Sequence, residues 1–89
     1  MDPLRTSIQI KRNGVYLDPT GYTVEFAFTT NANLANAVWY AGEWETVENH
    51  YWAVFNNTAV IPKGHWRVWV LIVAAPETPI RAAGEVWKL

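Results

Sequence analysis

Alternation of apolar and polar residues at period two, cut by Gly, Pro and Asn at short intervals, is the feature that most restricts this chain. It excludes a helical fold, whose apolar positions recur at 3.6, and it suits short antiparallel strands. The clearest run is Tyr22–Thr29, where Tyr22, Val24, Phe26 and Phe28 alternate with Thr23, Glu25, Ala27 and Thr29. One buried face and one wetter face are expected there. Before it, the spacing predicts a strand Thr6–Arg12 returning through Asn13-Gly14 into Val15–Leu17, because both turn residues accept positive φ. Asp18-Pro19-Thr20-Gly21 reads as a turn, with Pro presetting φ and Asp able to bond the backbone two residues on.

Beyond Thr29 the reading gives a loop Thr30–Asn36, a short strand Ala37–Ala41, a turn near Glu48-Asn49 and a strand His50–Phe55. Asn56-Asn57 turns the chain, Thr58–Ile61 extends briefly, and Pro62-Lys63-Gly64 precedes the long strand His65–Ala74. Trp66, Val68, Val70 and Ile72 share one face of that strand; Arg67, Trp69, Leu71 and Val73 share the other. Only Arg67 interrupts apolar cover, so the strand needs covering on both sides, by its own protein or by another molecule. A loop Pro76–Pro79 and a last strand Ile80–Leu89 complete the pattern. About seven short strands in 89 residues predict an all-β fold, an immunoglobulin-like antiparallel β-sandwich, with a small barrel as the rival. Residues 6–89 form the expected single domain, behind an N-terminal arm of residues 1–5 that orders on docking.

Composition narrows function mainly by exclusion. A formal net charge of −1 offers no electrostatic footprint for nucleic acid or an anionic membrane, and the longest apolar run, near Val68–Ala75, is too short to span a bilayer. With no Cys, disulfides and thiol nucleophiles are impossible. Ser7 is the only serine and has no glycine elbow around it, so no hydrolase is expected. Glu43, Glu45, Glu48 and His50 cluster at a turn without metal-ligand spacing, and His65 follows a turn glycine. They read as solvated charge; neither enzyme activity, metal nor cofactor is expected.

Tryptophan is in excess, at positions 39, 44, 52, 66, 69 and 87, and a core this small does not easily enclose six indoles with every N–H bonded. Trp66 and Trp52 are the expected core residues, and Trp44, flanked by glutamates, is the expected surface one. An exposed Trp serves either as an anchor in a protein interface or as a platform for a sugar ring, here formed by Trp39, Trp44 or Trp69.

Gly14-Val15-Tyr16-Leu17-Asp18-Pro19-Thr20-Gly21, the alternation Tyr22–Phe28, Gly42-Glu43-Trp44-Glu45, the segment Pro62 to Val70 and Pro76-Glu77-Thr78-Pro79-Ile80-Arg81 occur in an order with a known parallel. The chain resembles small virion structural proteins from tailed phages of actinobacteria, and more distantly the immunoglobulin-like N-terminal domains of siphophage baseplate proteins. The resemblance covers most of the chain after Lys11 and carries no catalytic or ligand motif. It implies a virion component, assembled in the host cytoplasm: a capsid decoration protein bound to the major capsid protein, or else part of the head–tail connector or baseplate. Decoration proteins often form trimers at symmetry axes, so the resemblance implies a homo-oligomer, and weak contacts would gain from many copies. Expected interface residues are Leu4, Arg5, Trp44, Trp69, Leu71 and Arg81, with the two arginines in rim contacts. A non-catalytic carbohydrate-binding sandwich is the alternative from another class.

Overall fold

A computed structural model describes residues 2–31, 34, 36–73 and 80–88, with backbone only for Arg12, Arg81 and Ala82. The described chain is all-β, with antiparallel sheets in a sandwich-like arrangement. Its strands are β1 (Leu4–Ile8), β2 (Ile10–Arg12), β3 (Val15–Leu17), β4 (Thr23–Thr29), β5 (Tyr40–Ala41), β6 (Glu43–Val47), β7 (His50–Phe55), β8 (Gly64–Val73) and β9 (Ile80–Lys88). They form a three-stranded sheet β1-β7-β6, a four-stranded sheet β5-β4-β8-β9 and the hairpin β2-β3. The Pro76–Pro79 loop, Ala74, Leu89 and part of the Thr30–Asn36 loop lie outside the described residues.

Local chemistry accounts for the turns. Asn13 and Gly14 both take positive φ (51° and 80°), the conformation a two-residue hairpin needs to match strand twist. Asp18 accepts from the Thr20 backbone N–H at 2.9 Å and from its hydroxyl at 2.6 Å, capping a short 3-10 turn over Pro19–Gly21. These bonds hold the Asp18 carboxyl below its ordinary pKa, the hydroxyl contributing most. Glu48 and Asn49 also take positive φ (49° and 66°), closing the β6–β7 hairpin without a glycine.

The core lies between the two larger sheets. Ile8, Ala53 and Phe55 from one side meet Val24, Phe26, Val68, Val70, Ile72 and Val86 from the other. The Phe26 and Phe55 rings stand 5.5 Å apart and tilted, one of the arrangements that aromatic quadrupoles favour. At one side of the sandwich the chain crosses between sheets through Gly42, whose N–H donates to the Val24 carbonyl at 2.8 Å. A Cβ at Gly42 would come within 2.6 Å of the Phe26 ring, so any other residue forces the ring or the crossing to shift.

Several sequence expectations are corrected. The first strand is interrupted at Gln9 and starts earlier, so Leu4 and Arg5, expected in a free arm, pair with Phe55 and Val54. The β8–β9 pairing shifts register between Val68 and Trp69. Trp52, expected in the core, lies on the outer face of the three-stranded sheet: Ala53 and Phe55 point inward, and the pleat sends Trp52 the other way. Trp44, expected at the surface, packs against the core opposite the small Ala53 and donates its Nε1–H to the Tyr22 carbonyl at 2.8 Å.

Candidate interaction surface

Because β8 alternates through the middle of the four-stranded sheet, Trp66, Val68, Val70 and Ile72 face the core. His65, Arg67, Trp69, Leu71 and Val73 therefore face away from it. On this outer face Trp69 stands opposite Ala27 and donates its Nε1–H to the Thr29 hydroxyl at 2.9 Å, two residues further along β4. Ala27 has no exposed surface although it points away from the core. Thr29, also on the outward-pointing row of β4, is buried as well, and its hydroxyl donates to the Asn31 carbonyl. Residues 27 and 29 thus depart from the wetter face expected for them, with Trp69 paired to one and bonded to the other.

The rest of the face lacks such cover. Val73 is 41% exposed, Ile80 46% and Trp87 67%. Ile80 pairs with the half-buried Leu71, so Leu71, Val73 and Ile80 make an apolar patch at one end. At the other end, Trp87 stacks on His65 with centroids 3.8 Å apart and planes 3° from parallel. His65 Nε2 lies 3.3 Å from a Glu85 carboxylate oxygen. Arg67, directly opposite Glu85, stands between the two ends.

Of the six residues singled out from the sequence, the structure brings only Trp69 and Leu71 together on this face. Leu4 and Trp44 point inward and pack on the core. Arg5 lies on the opposite outer face, that of the three-stranded sheet, 3.2 Å from Glu45. Arg81 pairs with Val70 through its backbone, and its side chain lies outside the described residues. Ile80, Trp87 and His65 were missed, and Val73 was read onto this face beside Trp69 and Leu71 without being named an interface residue. Val73 was legible, since it continues the alternation of Trp69 and Leu71; Trp87 was not, because the register shift in β8–β9 breaks the count that would place it.

Trp39, Trp44 and Trp69 are each half-buried; Trp44 packs inward on the core with its N–H on the Tyr22 carbonyl, and Trp69 lies on the outer face of the four-stranded sheet with its N–H on the Thr29 hydroxyl, so these two do not share one platform. Glu43 accepts from Asn56 and Glu45 pairs with Arg5. Among the described residues no three His, Asp or Glu side chains are grouped to hold a metal ion, and no helix is long and apolar enough to cross a membrane. Comparison with protein-family models, with curated proteins and with solved structures finds no match.

Proposed function

We propose that this chain is a non-catalytic structural protein of a phage virion, docking the outer face of its four-stranded sheet onto another virion protein. The first reading is capsid decoration: many copies bind the major capsid protein and brace the shell. The virion setting rests on the sequence resemblance described above. The observation that carries a docking role is the exposure of Val73, Ile80 and Trp87 around Trp69 and Leu71, an apolar set surplus to the core. Aromatic anchors ringed by charge, here His65, Arg67 and Glu85, are the composition that interface centres favour.

Size bears on how such a face works. Strands β5, β4, β8 and β9 hold 28 residues between them, and at about 3.3 Å per residue and about 4.8 Å between strands they give a footprint of roughly 440 Å². That falls short of the roughly 800 Å² per partner of a standard interface, so one copy binds weakly and lattice multivalency, or a trimer, supplies the rest. Light scattering on the pure protein, followed by cosedimentation with phage heads lacking it and with isolated tails, tests the reading. Saturable binding to heads that Trp87→Ala and Ile80→Ser abolish supports decoration. Binding to tails alone moves the protein to the connector or baseplate, and binding to neither removes the virion role.

A further inference from the structure

Where the ends of β4 and β5 meet the start of β8, the sandwich opens into a cleft of about 400 Å³. That lies within the roughly 300–1,000 Å³ of small-molecule sites. Phe28, Tyr40 and Trp66 supply its aromatic surface, and Thr30, Asn31 and Asn36 its polar rim. The rings are held in place. Tyr40 packs against Phe28 and Phe55 at centroid distances of 6.3 and 6.0 Å, and Trp66 donates its Nε1–H to the Pro62 carbonyl at 2.9 Å. Fixing an aromatic wall before the ligand arrives removes part of the ordering cost of binding.

We propose that this cleft binds a neutral saccharide. The described lining contains no charged side chain, so a phosphate, carboxylate or ammonium ligand would be desolvated without a counter-charge. Side-chain amides and a hydroxyl both donate and accept hydrogen bonds, which matches a molecule whose hydroxyls do the same. The aromatic surface suits the C–H face of a pyranose ring. A proline-rich peptide fits less well: it offers carbonyl acceptors and few donors, and the Phe28 and Tyr40 rings are tilted 41° to each other rather than set as parallel ridges. Thr29 lines the cleft and also accepts from Trp69 of the outer sheet face, but Val73, Ile80 and Trp87 do not line it, so the two readings are tested apart.

The test is an NMR titration of the ¹⁵N-labelled full chain with cellotriose, chitotriose and maltotriose in turn, and with a proline decapeptide. The Trp66 indole signal is assigned by Trp66→Phe. The expected result is saturable shifts of the Trp66 indole and the Asn36 side-chain amide with at least one sugar, at a Kd on the order of 1 mM. Asn36→Ala, at an exposed position that spares the fold, should weaken binding about five- to tenfold. Trp87→Ala should leave sugar binding unchanged, and Asn36→Ala should leave head binding unchanged. Three silent sugars, shifts centred on Trp87, an Asn36→Ala variant that binds as before, or a response to the peptide alone would each overturn the proposal.

Discussion

The two faces of β8 are made of nearly the same material and meet opposite fates. Val68, Val70 and Ile72 are no more than 6% exposed, whereas on the other side Trp69 and Leu71 are half-buried and Val73 is 41% exposed. The difference lies in what faces each side. The inner row meets Ala53, Phe55 and Ile8 of the second sheet, whereas no second sheet covers the outer row among the described residues, where Trp69 pairs with Ala27 and bonds to Thr29. Apolar content alone therefore does not mark a core, and the residues left over are the ones available to a partner.

Breaking the inner side should cost most. Phe26→Ala removes a ring packed on Phe55 and should destabilise by about 3–5 kcal/mol, read from denaturant unfolding. Gly42→Ala forces a methyl against that same ring from the strand crossing; a loss of about 1–3 kcal/mol is expected, and an unchanged unfolding midpoint would show that the crossing relaxes easily. On the outer side, Trp69→Phe keeps an aromatic ring but loses the bond to Thr29, so about 1 kcal/mol should go, with faster hydrogen exchange around Ala27. Trp87→Ala should change stability by less than about 0.5 kcal/mol while removing binding to heads. A large loss of stability there would instead make the exposed face part of the fold.

Asp18 belongs to neither face and serves as a control. Its carboxyl pKa is lowered in the folded state, so its contribution is complete above the unfolded pKa and fades as pH falls through the folded one. Asp18→Asn should flatten the acid end of the stability curve slightly, without touching either sheet, as thermal melts across that range would show.

Legibility followed the range of the interaction. Asn13-Gly14 and Asp18–Gly21 act over four residues or fewer, and both turns stand where the sequence put them. The alternation in Tyr22–Thr29 and His65–Ala74 identified β4 and β8 and separated their faces, and it named Trp69 and Leu71 as outward-facing partners. Trp44 and Trp52 were assigned the wrong way round because flanking glutamates say little about a sheet whose inward face is fixed by Ala53 and Phe55 packing into the core. The aromatic cleft was invisible for a similar reason, since Phe28, Tyr40 and Trp66 meet only through the packing of separate strands.

By itself, then, the sequence determined that the chain is β, where it turns, and that its long central strand carries more apolar surface than one core can take. Period-two patterning and turn chemistry are local, and a chain of this composition has no other regular structure that satisfies them. The tertiary structure alone decided which tryptophans face solvent, that Trp87 rather than Trp44 stands out, and where the sandwich opens. Those outcomes depend on strand register and on the shift between Val68 and Trp69, and a one-residue step in register turns every side chain beyond it to the other face.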